Sequence, residues 1–212
     1  VVAEFTSELA ALPREEFVRN VLMGALNSKH VVVGSNFRSG RNREGDTRYL
    51  QSCLPELGAG ISVVSAVIIG GGPASSTRVR MLVSRGDVEE AAKILGRHFT
   101  LRGMVVKGEQ VGRTIGFPTS NIQTGPRQLL PAHGVYVVES TIGGTIYRGV
   151  CNIGVRPTFK GARETVEVHF DGFQGTLYGE TLDVVFCRRL RDEMTFESPD
   201  KLADQIRKDL ER

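Results

Sequence analysis

The stretch Gly103-Met-Val-Val-Lys-Gly-Glu-Gln-Val-Gly-Arg-Thr-Ile-Gly-Phe-Pro-Thr-Ser-Asn-Ile122 decides how the rest of the chain is read. Met104 to Val106 favour a β-strand, and Gly108, Gly112 and Gly116 then recur every fourth residue with Lys107 and Arg113 among them. A backbone this rich in glycine can come close to a phosphate chain, and the two cations suit its charge. The spacing is not the G-x-x-x-x-G-K-[ST] of P-loop enzymes, so a nucleotide site here is of another kind. Phe117-Pro118 stiffens the chain in an extended form, because proline fixes its own φ and biases its predecessor away from helix. Extended residues two apart point the same way. Thr119 and Asn121 therefore present a hydroxyl and an amide oxygen side by side, hard neutral oxygens that a Mg²⁺ carrying its own waters and nucleotide phosphates can use. The competing reading is a glycine-rich hairpin in which Pro118-Thr-Ser-Asn121 is turn chemistry alone.

Outward from this stretch, everything after Arg97 reads as β. Thr100 to Val106, Gly134 to Thr141, Thr145 to Asn152, Glu164 to Asp171 and Thr181 to Cys187 are short alternating runs, with Ile142-Gly-Gly-Thr145 as a hairpin turn. Five or six short strands with no intervening helix imply a closed barrel. A helix from Ser198 and Pro199, with Leu202, Ile206 and Leu210 as its apolar stripe, ends the chain. Cys151-Asn-Ile-Gly-Val-Arg-Pro-Thr-Phe159 reads as an irregular segment just after a strand, bringing Asn152 within reach of the glycine loop. In Thr165-Val-Glu-Val-His-Phe170 the period of two puts Val166, Val168 and Phe170 on one face and Glu167 and His169 on the other. A carboxylate and an imidazole thus share a strand face, either as a catalytic pair or as an exposed sheet face with a structural histidine. His30, His98 and His133 belong to no constellation.

Residues 1 to 97 alternate strand and helix. Val1 to Phe5 reads as a strand, and Pro13 opens a helix whose apolar face is Phe17, Val18, Val21, Leu22, Ala25 and Leu26, up to Asn27. His30 to Val33 is a buried strand ending at Gly34, Asp46 caps a helix through Tyr49, Leu50 and Leu54, and Ile61 to Ile69 is a third strand. This order indicates a doubly wound, Rossmann-like α/β sheet. Gly70-Gly-Gly-Pro-Ala-Ser-Ser-Thr-Arg-Val-Arg80 then enters a helix with Ser75 or Ser76 as N-cap. With Thr77, Arg78 and Arg80 beside it, that N-terminus is a candidate phosphate site, or simply a well-capped surface helix. Asp87-Val-Glu-Glu90 reads as a capping box for a further helix ending at Gly96. The domain boundary falls near residue 98, giving an α/β domain over 1–97 and an all-β domain over 98–212.

Composition narrows the class without choosing a function. With 212 residues, 40% hydrophobic and 24% charged, the chain reads as a soluble globular protein of one large or two small domains. A formal charge of +3 suits an anionic ligand, and no long basic run marks a nucleic-acid tail. Cys53, Cys151 and Cys187 are odd in number and lack any C-x-x-C, which supports neither a zinc site nor a disulfide framework. Reduced thiols fit a cytoplasmic setting, or an organellar stroma or matrix. No run of roughly 18 apolar residues suggests a membrane span. The chain opens on Val1 rather than Met, which fits a fragment or a processed form.

The stretch 103–122 closely resembles the signature of riboflavin kinase, in which a glycine-rich flap runs into Gly-Phe-Pro-Thr-Ala-Asn, with Ser120 here in place of Ala. The Cys151 and Thr165 segments, Leu177-Tyr-Gly179 and Arg191-Asp-Glu-Met-Thr-Phe196 also resemble that family, in the same order, over essentially all of 98–212. The resemblance implies a six-stranded β-barrel that phosphorylates riboflavin to FMN. Thr119 and Asn121 would hold Mg²⁺ with the ATP phosphates, and Glu167 would be the catalytic base. Lys107, Gly108, Gly112, Arg113, Gly116, Pro118, Asn152 and His169 form the expected ATP side, and Arg191, Glu193 and Phe196 the flavin side. The first half resembles the FMN adenylyltransferase half of the bifunctional prokaryotic FAD synthetase. Val33-Gly-Ser-Asn-Phe-Arg-Ser-Gly40 is similar to that family's Gly-x-Asp-Phe-x-Phe-Gly, and Ser75-Ser-Thr-Arg-Val-Arg80 to its second phosphate motif. Asn36 stands for the usual Asp, Ser39 for the usual Phe, and the family's His-x-Gly-His is absent from these residues. The expected partners are therefore small molecules: ATP, riboflavin and FMN. Residual FMN adenylyltransferase activity and a non-catalytic flavin- or nucleotide-binding barrel are the alternatives.

Overall fold

Alternation of apolar and polar residues closes the second half of the chain on itself. In the computed structural model, which describes residues 1–108, 111–158 and 161–212, the strands β1 (His30–Gly34), β2 (Gly60–Val64), β3 (Ile68–Ile69) and β4 (Gly72–Pro73) are followed by six that form an antiparallel barrel: β5 (Phe99–Val106), β6 (Ser120–Gln123), β7 (Gly134–Ile142), β8 (Thr145–Thr158), β9 (Gly161–Phe170) and β10 (Thr181–Arg191). Their order around the barrel is β10-β5-β6-β9-β8-β7, and β10 pairs with both β5 and β7. Closure gives each barrel strand a neighbour on both sides. Inward residues such as Leu101, Val138, Val166, Val168, Val184 and Phe186 fill the interior. Tyr136 and Phe186 meet edge to face at 5.3 Å, and the Tyr136 hydroxyl donates to the Ala132 carbonyl at 2.6 Å, so a buried phenol keeps its hydrogen bond.

Two strands depart from the sequence reading. The turn-like run Cys151 to Thr158 is not irregular: β8 continues through it, paired with β9 from Cys151↔Val168 to Thr158↔Gly161. Ladder pairing on a long neighbour outweighs the local preference of Gly154 and Pro157. The short β6, taken from sequence only as extended chain around Thr119 and Asn121, bridges β5 and β9. Gly143 and Gly144, with φ of 57° and 84°, make the expected two-residue turn between β7 and β8.

The barrel belongs to a compact unit spanning Ala74–Arg212. Its first helix, Ser76–Arg85, is capped by Ser75, whose hydroxyl accepts from the Arg78 backbone N–H at 3.3 Å. A second helix, Val88–Leu95, ends at Gly96 as expected, but Asp87 makes no side-chain cap bond, so the capping box does not form. Val88 on this helix is fully buried and belongs to the barrel's core. The C-terminal helix, Pro199–Leu210, is capped by Ser198 and buries Ala203 and Asp209.

The other unit, Val1–Pro73, is a small α/β fold. Its parallel pair runs from His30↔Gly60 to Gly34↔Val64, and the helix Thr47–Glu56, capped by Asp46, buries Leu50 and Leu54 with Val18 and Val33. Three expectations fail here. Val1 to Phe5 forms no strand, and Phe5 is 81% exposed, because no sheet edge receives it. The helix expected from Pro13 widens after Arg14–Glu16 into a π-helical segment, Phe17–Ala25, whose looser turn moves Leu26 off the buried face. The third strand breaks in two: Gly60–Val64 pairs with His30–Gly34, whereas Ile68–Ile69 folds back on Gly72–Pro73 around Gly70 and Gly71, both at positive φ.

The boundary read near residue 98 can be tested directly. Residues 98–212 expressed alone are expected to form the barrel, and residues 74–212 to be more stable by about 1.5–3 kcal/mol, the value of burying a valine such as Val88. Urea unfolding of the two proteins checks both statements.

Candidate functional site

Closure of the barrel turns strand register into a row of side chains. Asn121 on β6 lies opposite Glu167 on β9, Glu167 opposite Asn152 on β8, Asn152 opposite Val135 on β7, and Val135 opposite Arg191 on β10. Val166 and Val168 point into the core, so Glu167 faces the outside of the barrel by strand period. Over this outer face stand the C-terminal helix, through Leu202, Ile206 and Asp209, and the 192–196 segment, through Glu193, Met194 and Phe196. Together with Thr119, Asn152, Glu167, His169 and Arg191 they line a cavity of about 320 Å³.

One wall is the loop that decided the sequence reading. The Thr119 hydroxyl donates to Glu167 Oε2 over a long 3.5 Å. His169 Nδ1 lies 2.9 Å from the Pro118 carbonyl, which can only accept, so Nδ1 carries the proton. Phe117 stands edge-on to the His169 ring at 5.2 Å, and the Arg207 guanidinium of the C-terminal helix sits 5.7 Å from the Phe117 ring centre. His169 thereby pins the Phe117–Thr119 backbone to β9. Asn121 packs so closely on Gly108 that a Cβ there would lie 2.2 Å from Asn121 Nδ2. Across the cavity, Asn152 Nδ2 donates to Glu193 Oε1 at 3.2 Å, and a Cβ at position 154 would stand 2.0 Å from that same oxygen.

A second cavity, of about 370 Å³, is lined by Pro118, Thr119, Ser120, Phe173, Thr176 and Tyr178 among others. Thr119 lines both cavities. Sequence reading passed over Phe173, Thr176 and the buried Asp209; only the register of the finished barrel brings them to the site. Lys107 and Gly116 are exposed and line neither cavity, and the side chain of Arg113 lies outside the described residues. Ser75, Ser76 and Arg80 border a separate cavity of about 510 Å³ with Arg97 and Phe99, and Arg80 reaches the Thr77 hydroxyl at 3.5 Å. Cys151, although opposite Val168 on the same strands, points inward; burial pushes its thiol well above the usual range, with the Glu167 carboxylate adding to the rise. It remains a protonated packing group rather than a nucleophile.

A hydroxyl and an amide oxygen beside a carboxylate are hard oxygen donors, and that donor set fits Mg²⁺ sharing its shell with water and phosphate. Among the described residues no group of three or more His, Cys, Asp or Glu side chains is placed to hold a metal ion, and no helix among them is long and apolar enough to cross a membrane. A closed barrel with two cavities that share Thr119, beside a cross-strand row of polar side chains, has the form of a site for small molecules.

Comparison with known proteins makes this specific. The riboflavin kinase family model matches residues 95–212, and the FAD synthetase model matches residues 1–78. The bifunctional riboflavin kinase/FMN adenylyltransferase of Haemophilus influenzae is 35% identical over 212 residues, covering all of this chain and 68% of that protein. Its counterpart in Escherichia coli K12 is 40% identical over 206 residues, 97% of this chain and 66% of the relative, and that of Bacillus subtilis 168 is 34% identical over 211 residues, 98% and 66%. A crystal structure described as a macrolide-efflux protein from Streptococcus pneumoniae superposes with a TM-score of 0.90 at 36% identity, covering 98% of this chain and 67% of that one. The chain belongs to the bifunctional riboflavin kinase/FMN adenylyltransferase family, with its riboflavin kinase domain in the barrel half. It spans about two thirds of the length of the curated relatives it matches.

The packing of Asn121 on Gly108 leads to a prediction. Gly108→Ala must displace the Asn121 amide, and a shift of this order at a reacting centre costs up to about 10²-fold in rate. Steady-state kinase turnover is expected to fall at least about tenfold with the unfolding midpoint little changed; unaltered turnover would detach Asn121 from the chemistry.

Proposed function

We propose that the barrel transfers the γ-phosphoryl group of ATP to the ribityl 5′-hydroxyl of riboflavin, giving FMN and ADP. The observation that carries this reading is the place of Thr119, which lines both cavities and donates to Glu167. Each cavity lies in the size range of small-molecule sites. The one bounded by Phe173, Thr176 and Tyr178 takes the nucleotide, and the one beneath the C-terminal helix takes the flavin, with its apolar wall of Ile115, Val150, Leu202 and Ile206 against the ring system. The two substrates then meet at Thr119.

In the transfer, the substrate oxygen forms a bond to γ-phosphorus as the bond from γ-phosphorus to the ADP oxygen breaks. Glu167 accepts the hydroxyl proton, and Thr119 and Asn121 would hold Mg²⁺. The metal, when bound, neutralises charge on the phosphates. Glycines 108, 112 and 116 and Pro118 let the backbone lie along the phosphate chain, with Lys107 and Arg113 adding positive charge. Asn152, expected from sequence on the ATP side, is assigned instead to the flavin side, since it donates to Glu193 and lines the same cavity as Arg191 and Phe196. His169 is the competing candidate for the base: with the Nδ1 proton donated to the Pro118 carbonyl, Nε2 carries the lone pair, and the same bond holds the loop.

Transfer of this kind depends mainly on positioning and charge neutralisation. Glu167→Gln keeps size and removes basicity, so kcat is expected to fall about 10²-fold, the lower end of the range for a positioned base, with riboflavin affinity held within a few fold. Near-wild-type turnover in this variant together with a dead His169→Ala would move the base to His169. Thr119→Ala should raise the Mg²⁺ concentration at half-maximal rate and lower kcat with the fold little changed, because removing this half-buried loop hydroxyl and its long bond to Glu167 costs little stability.

The match of residues 1–78 to the FAD synthetase model favours a second reading, an adenylyltransferase. The four histidines of the chain are scattered and supply no His-x-Gly-His. Incubated with riboflavin, ATP and Mg²⁺, this chain is therefore expected to yield FMN and no FAD. FAD above a no-enzyme control would establish the second activity, and binding without turnover would reduce the barrel to a flavin carrier.

A further inference from the structure

Asp209 is the most deeply buried charged group of the barrel unit, at 1% exposure, and neither the polar row nor phosphoryl transfer uses it. It projects from the last turn of the C-terminal helix to the border of the flavin-side cavity. Its Oδ2 accepts from Arg191 Nη2 at 2.8 Å and Nε at 3.1 Å. Its Oδ1 accepts from Gln205 Nε2 at 2.9 Å and, at 3.3 Å, from Arg191 Nε. Both oxygens are thus taken by protein donors, which leaves this carboxylate little capacity for a ligand. Arg191 is occupied in turn: Nη1 donates to the Asp192 carbonyl at 3.0 Å, and the guanidinium lies 5.9 Å from the Phe196 ring centre.

The bidentate fork fixes the plane of the guanidinium as well as its position. Arg191 is the end of the outer row, opposite Val135, so the pair joins the C-terminal helix to the barrel register itself. Through the Asp192 carbonyl and Phe196 it also orders the segment that brings Glu193, Met194 and Phe196 to the cavity. With its charge balanced by Asp209, Arg191 serves as a strut rather than as a cation for phosphate.

We propose that Asp209 is a positioning residue of the flavin subsite: acting through Arg191, it sets where the 192–196 segment and the C-terminal helix stand over the row, and hence flavin affinity rather than the transfer step. This rests on the reading of the cavity beneath the C-terminal helix as the flavin side. Asp209→Asn preserves shape while replacing one acceptor by a donor that opposes Arg191. Riboflavin binding followed by its fluorescence, together with steady-state kinetics, is expected to show flavin Kd and KM raised about tenfold or more, with ATP KM within about twofold and kcat at saturating flavin within about threefold. Arg191→Lys, which keeps the charge and loses the fork, is expected to give the same split and serves if the first variant does not fold. Unchanged flavin affinity, a parallel change in the two KM values, or unfolding of both variants overturns the proposal by making the pair a scaffold element only. Absence of riboflavin binding in the wild-type chain overturns the underlying assignment of the cavity, and the proposal with it.

Discussion

The site depends on one constraint, the pairing of β10 with both β5 and β7. Opened between β5 and β10, the same strands would leave Arg191 on one edge strand and Asn121 on the strand next to the opposite edge. Closure fixes the register around the whole barrel, so that Asn121, Glu167, Asn152, Val135 and Arg191 fall on one cross-strand row. A slip of β9 by one residue against its neighbours would turn Glu167 into the core and Val166 or Val168 out of it. Burial of Val168 and Val166 at 0% and 3% exposure therefore holds the carboxylate in place as firmly as it holds the fold. Stability and site geometry share the same set of contacts.

The outer face becomes a site because two irregular segments and a helix are drawn over it by separate means. His169 holds the Phe117–Thr119 backbone, Asn152 holds Glu193, and Asp209 holds Arg191. Each is a polar contact from a barrel strand to a covering element. Glycines 108 and 154 permit the closest of these approaches, where a side chain would collide with Asn121 or Glu193. Asn121, Glu167 and Asn152 thus stand on a rigid sheet, and the 192–196 segment and the C-terminal helix are attached to it by a few charge-assisted bonds.

Much of this was legible in the sequence where a local rule acts alone. The period of two in Thr165 to Phe170 separated Glu167 from the core, the Ser75 and Ser198 caps opened their helices, and Gly143-Gly144 turned the chain. What escaped was decided by partners distant in sequence. Cys151 to Thr158 has the composition of a loop and becomes strand only because β9 lies beside it. Asp209 reads as one more polar residue of an amphipathic helix until Arg191, 18 positions earlier, closes on it. Val1 to Phe5 has strand composition and no edge to join. In Ile61 to Ile69, apolar content indicated one strand, and the Gly70-Gly71 turn beyond it drew the last two residues into a hairpin.

The central claim is that phosphoryl transfer takes place beside the outer row of the barrel, at Thr119. Paramagnetic broadening by Mn²⁺ with ADP tests it most directly, through the backbone amide signals of isotopically labelled protein in the presence of FMN. The account predicts the strongest loss of signal at Thr119, Ser120 and Asn121, with Glu167 and Asn152 next. Broadening centred on Ser75 to Arg80, with the barrel row untouched, would contradict it.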